Sequence, residues 1–176
     1  SSDLIKPSDM VLGLPSNGLH TNGYSFARKL FFEIGGYDVN DMIPELDKSV
    51  GLTLLEPHIN YTNHVFSVLD SGIEMKGIAH ITGGGLVENI PRILPNGCGV
   101  KLQKESWPSL PVFDVMQSIG DVDEDEMFRA FNMGIGMIFI VDSTDVNSVK
   151  DALKDLTEVY EIGTIVSGDK SVIIKN

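Results

Sequence analysis

The chain has 176 residues, enough for one domain with its own core, and its 42% hydrophobic and 22% charged residues mark it as globular rather than disordered. Thirteen Lys and Arg against 25 Asp and Glu leave a formal net charge of −12, which argues against nucleic acid or an anionic membrane surface as the main partner. One cysteine, Cys98, excludes an intrachain disulfide and a cysteine-built metal site, and a reducing, cytoplasmic setting is expected.

Ser1 to Asp9 is a polar lead-in that begins without Met, as a segment cut from a longer protein would, and it lacks a signal-peptide pattern. No apolar run approaches transmembrane length. Met10 to Leu14 reads as a short buried strand. Pro15, Ser16, Asn17 and Gly18 form a turn cluster, and Thr21, Asn22 and Gly23 repeat that chemistry before a helical pattern opens at Tyr24. That helix is expected to stop at Gly35-Gly36. A polar excursion from Tyr37 to Asp47 and an apolar run from Val50 to Leu55 follow, then a helix over Ile59 to Leu69 that closes at Gly72.

Ile78 to Ile81 reads as a strand, with Thr82, Gly83, Gly84 and Gly85 directly after it and a helical face at Leu86, Ile90, Ile93 and Leu94 that Pro91 kinks or splits. Gly99 to Leu102 is a further strand. Trp107, Pro108 and Pro111 make a stiff connector, and Val112–Ile119 and Asp123–Phe131 are two short helices. Met137 to Val141 is the clearest buried strand and Ser143 to Leu156 the last helix. Tyr160–Val166 and Val172–Ile174 read as closing strands joined by a turn around Gly168. Short strands interspersed with helices, with no repeat or interdomain linker, predict one α+β domain over residues 1–176, a central mixed sheet with helices packed on it.

Three glycine-bearing elements stand out. The first, Ser16 to Gly23, lies between a strand and a helix start, where free backbone N–H groups and the helix dipole suit an anion. No Gly-Lys-Ser/Thr follows, so it is not a P-loop, and strand–turn–helix connections also use such residues for backbone reasons alone. The second, Thr82 to Gly85, spends three consecutive glycines where one turn needs fewer, which points to close approach by a ligand or to a mobile lid. Asn89 and Arg92 follow on its helix; Arg92 either pairs with Glu88 or holds a phosphate. The third, Phe131 to Gly136, precedes the clearest strand, and its Asn132 either contacts ligand or caps a helix.

Among the four histidines, His20 sits in a ligand-type loop and is the functional candidate, whereas His80 on an apolar strand reads as structural. The nearest pair, His58 and His64, is six apart, which is no metal spacing, so no metal site is expected in this chain. Asp121, Asp123 and Asp125 imitate a calcium loop, but Glu126 and Asn132 stand where it needs Gly and Glu.

The stretches Leu14–Ser25, His80–Arg92 and Met127–Met137, with Leu94-Pro95 and Ser106-Trp107-Pro108 between them, closely resemble the phosphoribosylformylglycinamidine cyclo-ligase (aminoimidazole ribonucleotide synthetase) family, over its C-terminal half. The resemblance implies an ATP-dependent ring closure in purine biosynthesis, with ATP and magnesium used by the full-length enzyme. It also implies an N-terminal ATP-binding domain absent from this chain, a phosphorylated nucleotide substrate and a homodimer. His20 would face the chemistry. Ser16, Asn17, Gly18, Thr21, Asn22, Gly23, Thr82, Gly83, Gly84, Gly85, Asn89, Arg92 and Asn132 would surround substrate phosphates, either loop serving the ribose 5′-phosphate and the other ATP.

Two departures are visible: His58-Ile59-Asn60 stand where the family often has Thr, a basic residue and Ile, and Met133 replaces the Cys of some members. A related superfamily enzyme, formylglycinamidine ribonucleotide synthetase or selenophosphate synthetase, and a non-catalytic phosphate-binding module are the alternatives.

Overall fold

The computed structural model describes residues 4–175. Six strands form one mixed sheet: β1 (Met10–Pro15), β2 (Gly77–His80), β3 (Cys98–Gln103), β4 (Ile135–Val141), β5 (Tyr160–Ser167) and β6 (Val172–Lys175). Their order is β2-β4-β1-β5-β3-β6, antiparallel at each pairing except β3 with β6. The helices are α1 (Tyr24–Arg28), α2 (Val50–Leu54), α3 (Thr62–Asp70), α4 (Gly85–Asn89), α5 (Pro111–Gly120), α6 (Glu124–Ala130) and α7 (Val146–Leu153).

β4 is buried at every position because the sheet is covered on both faces, the arrangement that a continuous apolar run such as Met137–Val141 demands. Ile135, Ile138 and Ile140 pack with Val11, Leu86, Ile90 and Phe128 under α4 and α6. Met137, Phe139 and Val141 pack with Leu12, Leu14, Val68, Val149 and Leu153 under α3 and α7. A third cluster, around Leu30, Phe31, Val112, Phe113, Met116 and Phe131, joins α1, α2, α5 and α6.

Several expected elements take a different form. The helix opening at Tyr24 widens into a π-helical turn over Lys29–Ile34 before Gly35 ends it. The second helix starts only at Thr62, because Tyr61 donates its hydroxyl to Pro15 O (2.7 Å) and Asn60 Oδ1 accepts Thr62 N–H (2.9 Å), leaving Pro57–Tyr61 as an irregular strap. Pro91 splits the fourth helix, and Ile90–Ile93 continues as a 3₁₀ turn. The last helix spans Val146–Leu153 after a 3₁₀ turn, shorter than its sequence pattern. The closing strands β5 and β6 do not pair with each other: β3 lies between them. The turn at Gly168 crosses the start of β3, with Gly168 N–H on Gly97 O (3.0 Å) and Lys170 N–H on Cys98 O (2.7 Å). A Cβ on Gly99 would lie 2.8 Å from Ser171 Oγ and 3.1 Å from Ser171 O, so the crossing is tight at that glycine.

Candidate active site

β1 and β2 both run antiparallel to β4, so their C-terminal ends meet its N-terminal end: Pro15 pairs with Ile135 and His80 with Met137. The loops after β1 and β2 and the turn before β4 therefore open at one end of the sheet. Ser16 N–H donates to Gly134 O (2.8 Å) and Ile81 N–H to Gly136 O (2.9 Å), which extends the ladder into the loops.

Asn132, fully buried, ties the first loop to the third. Its Oδ1 accepts from Ser16 Oγ (2.8 Å) and Gly134 N–H (2.9 Å), and its Nδ2 donates to Gly18 O (2.8 Å). Asn89 does the same within the second loop: its Nδ2 donates to the carbonyls of Thr82, Gly83 and Gly85, and its Oδ1 accepts from Thr82 Oγ1 (3.1 Å). These buried amides spend their hydrogen bonds on holding loops, which leaves the loop backbones to meet a ligand. Thr21 Oγ1 (2.6 Å) and Asn22 Nδ2 (2.9 Å) both donate to His20 O, while Asn17 lies at the surface. Arg92 is exposed on the rim, 4.0 Å from Glu88 and donating to Asn89 Oδ1 (3.3 Å).

The glycines divide by cause. A Cβ on Gly23 would meet the Phe131 ring at 2.5 Å and Ala130 O at 2.9 Å, so packing demands this glycine. Gly85 has φ +55 and its Cβ would lie 2.1 Å from Phe128 O, so it seats the loop on α6. Gly84 caps α4 with φ 93. Only Gly83 among the three has neither a positive φ nor an atom within 4 Å of its Cβ position. Neither packing nor backbone conformation requires a glycine there. Gly85→Ala is expected to destabilise the fold by at least about 2 kcal/mol, from overpacking and an unfavourable φ together. Gly83→Ala is expected to leave the unfolding midpoint in urea near wild type and to weaken nucleotide binding, measured by calorimetry on the full-length protein, by roughly tenfold.

All four histidines converge here. His20 is 1% exposed, whereas His80 lies exposed on edge strand β2. The strap over the first loop covers His20, and β2 ends at the sheet edge before its side chain can be covered. His20 Nε2 lies 2.6 Å from Asn17 Oδ1, whose own Nδ2 donates to Pro57 O (2.9 Å). The backbone N–H groups of Asn17 (3.3 Å) and Ile59 (3.4 Å) also point at Nε2, so this nitrogen ties the ring to both the first loop and the strap. Nδ1 is buried with no protein partner. Burial, with the nearby charges of His58 and His80, holds His20 down to about 4, so it is neutral at physiological pH. His58 stacks on it (centroids 4.3 Å, 15°) and lies 3.0 Å, Nε2 to Nε2, from His80.

His58 and His80 border an open cleft of about 540 Å³ whose walls include Asn60, Tyr61, Thr62, Phe66 and Met137. Sequence spacing missed this wall, because residues 22 apart meet only through the strap and the sheet edge. The one sequence signal was the Pro57–Tyr61 departure itself. Among the described residues no group of three His, Cys, Asp or Glu is gathered to hold a metal ion, and no helix is long and apolar enough to cross a membrane.

The family model described as AIR synthase related protein, C-terminal domain, matches residues 6–176. The chain belongs to that family. Within it, the phosphoribosylformylglycinamidine cyclo-ligase of Caldanaerobacter subterraneus subsp. tengcongensis is 46% identical over 94% of this chain and 49% of its own length. That of Thermoanaerobacter sp. strain X514 is 44% identical over 97% of this chain and 50% of its own. The chain thus spans about half the length of these curated relatives. E. coli HypE, a hydrogenase maturation protein, shares the AIR synthase related fold at TM-score 0.62 and 18% identity, over all of this chain and 49% of that one.

Proposed function

We propose that this chain is the C-terminal half of an ATP-dependent phosphoribosylformylglycinamidine cyclo-ligase, acting with an N-terminal ATP-binding half as a homodimer in the cytoplasm. The observation that carries the reading is the meeting of the three motif-bearing loops at one end of the sheet. Membership of a family whose named relatives carry that activity supports it.

In the reaction, the formyl oxygen of formylglycinamidine ribonucleotide takes the γ-phosphoryl group of ATP. The amidine nitrogen then attacks the activated carbon, phosphate leaves with the formyl oxygen, and a proton is released as the imidazole ring forms. Such chemistry asks for positioning and exclusion of water more than for a protein nucleophile. The loop backbones at Asn17–Thr21 and Gly83 bind phosphate oxygens through N–H groups, Asn132, Ser16 and Asn89 hold those loops, and Arg92 contributes its guanidinium at the rim. α1 has five residues before its π turn, so the loop amides rather than a long helix dipole supply the attraction. Among the described residues no group of three His, Cys, Asp or Glu is placed to hold magnesium.

The test is cyclisation of formylglycinamidine ribonucleotide with ATP and magnesium. The full-length protein is expected to turn over and this chain alone is not. Turnover by the purified chain alone overturns the two-half reading, and a full-length protein inert toward this substrate overturns the cyclo-ligase reading.

A further inference from the structure

We propose that His58 is a positioning residue that holds His80 across the mouth of the cleft through one shared proton, so that a second proton uncouples the two rings and frees His80. The two Nε2 atoms lie 3.0 Å apart, and the ring centroids 5.0 Å. At that separation one nitrogen donates and the other accepts, so the pair carries a single proton between its facing nitrogens. With one ring charged the bond persists, the imidazolium donating to the neutral ring; only when a second proton makes both rings imidazolium is there no acceptor, and two like charges then face each other.

The structure also decides which ring gives way. His58 is anchored: it stacks on His20, and the strap carrying it is tied to the first loop through Asn17 Nδ2 and Pro57 O. His80 ends an edge strand and its side chain reaches solvent. A second proton therefore turns His80 out. Because Thr82–Gly85 follows within the same segment, the entrance to the second glycine loop changes with it.

The groups that face the pair come from three elements. His20 of the first loop is buried and neutral. Tyr61, just before α3, lies next to His80 and to His64 of α3, and it keeps its proton because burial pushes its phenol up. Burial also holds His64 below its ordinary value. β4 contributes Met137, which is uncharged. Glu56, two residues before His58, is paired with Lys48 instead. Burial, then the charge of His58, holds His80 below its ordinary value, in keeping with a pair that resists its second proton.

The test uses full-length protein labelled with ¹⁵N-histidine, His80 being assigned through His80→Gln, and follows the imidazole nitrogens from about pH 8 to pH 5. In the wild type His80 is expected to show one fixed tautomer above its midpoint. In His58→Phe, which keeps the stack on His20 but removes the nitrogen, His80 is expected to show mixed tautomers and a midpoint raised toward 6.5. His58→Gln, whose amide can hydrogen-bond without titrating, is expected to restore the single tautomer. It also serves as the test if His58→Phe fails to fold.

An unchanged His80 tautomer and midpoint in folded His58→Phe overturns the proposal. So does, where only His58→Gln folds, a His80 midpoint identical to wild type. A kinetic arm, which rests on the cyclo-ligase reading, measures kcat/KM against pH: His58→Phe is expected to fall roughly tenfold at neutral pH through loss of positioning. Absence of cyclisation in the wild type defeats that reading alone, and the nuclear resonance result still decides the role of His58.

Discussion

Lys76→Ala is expected to lower the stability of the fold by roughly 3–5 kcal/mol, the usual consequence of stranding a buried charge. Lys76 and Asp9 are 6% and 1% exposed, and Lys76 Nζ donates to Asp9 Oδ1 (2.6 Å) and Asp142 Oδ2 (3.2 Å). The network joins the start of β1 to the residue before β2 and the residue after β4, at the end of the sheet away from the glycine loops. Asp9 also accepts Lys6 N–H at its other oxygen (2.9 Å), so it stays fixed in the interior when the lysine is gone. Urea unfolding at neutral pH measures the loss. The double variant Asp9→Leu with Lys76→Met, which replaces both charges by apolar groups, is expected to recover most of it. If Lys76→Ala costs less than about 1 kcal/mol, the network is not what pins these strands.

The same network sets a pH window. Burial pulls Lys76 down, but its bonds to Asp9 and Asp142 and their charges outweigh this and raise it above 10.5. Its contribution is present below the unfolded value and is lost as pH rises through the raised one. Asp142 is lowered from 3.8 by hydrogen bonds from Thr144 and then from Lys76. Its contribution is present above the unfolded value and is lost as pH falls through the lowered one.

His20→Ala is expected to lower kcat of the full-length protein by roughly 10²-fold or more, the scale of losing a positioned electrostatic group or of a small misplacement at the reacting centre. The ring is buried beneath the cleft wall, so its effect reaches the site through what it holds: Asn17 of the first loop and His58 on the strap. His20 and Thr21 both sit at positive φ (52 and 62), strain that the surrounding contacts must maintain. If thermal stability falls while kcat stays near wild type, His20 only fastens the loop and its positioning role is withdrawn; the anion site is unaffected.

His20 also predicts an acid limb in stability. Its value falls from 6.5 to about 4 on folding, so its contribution is full above the unfolded value and is lost as pH drops through 6.5 toward 4. The full size is on the order of 3 kcal/mol, of which roughly 2 kcal/mol is lost between pH 7 and pH 5, and comparing urea midpoints at those two pH values for wild type and His20→Ala isolates that part.

Local pattern alone determined a good part of this protein. The apolar run Met137–Val141 could only be a strand covered on both faces, Pro91 had to interrupt a helix, and Gly35 ended one. The three glycine elements were visible because turn chemistry and strand ends are written in neighbouring residues. What each residue in them does was decided by contacts distant in the chain. Asn132 knots Gly18 and Ser16, more than a hundred positions away. Gly23 and Gly85 exist for Phe131 and Phe128, while Gly83 is free of both steric and φ demands. The insertion of β3 between β5 and β6 depends on a backbone crossing at Gly99 that no periodicity encodes. The histidine cluster is the plainest case. A sequence reports spacing along the chain, but His20, His58 and His80 are neighbours only because β1 and β2 flank β4 and a strap closes over their ends.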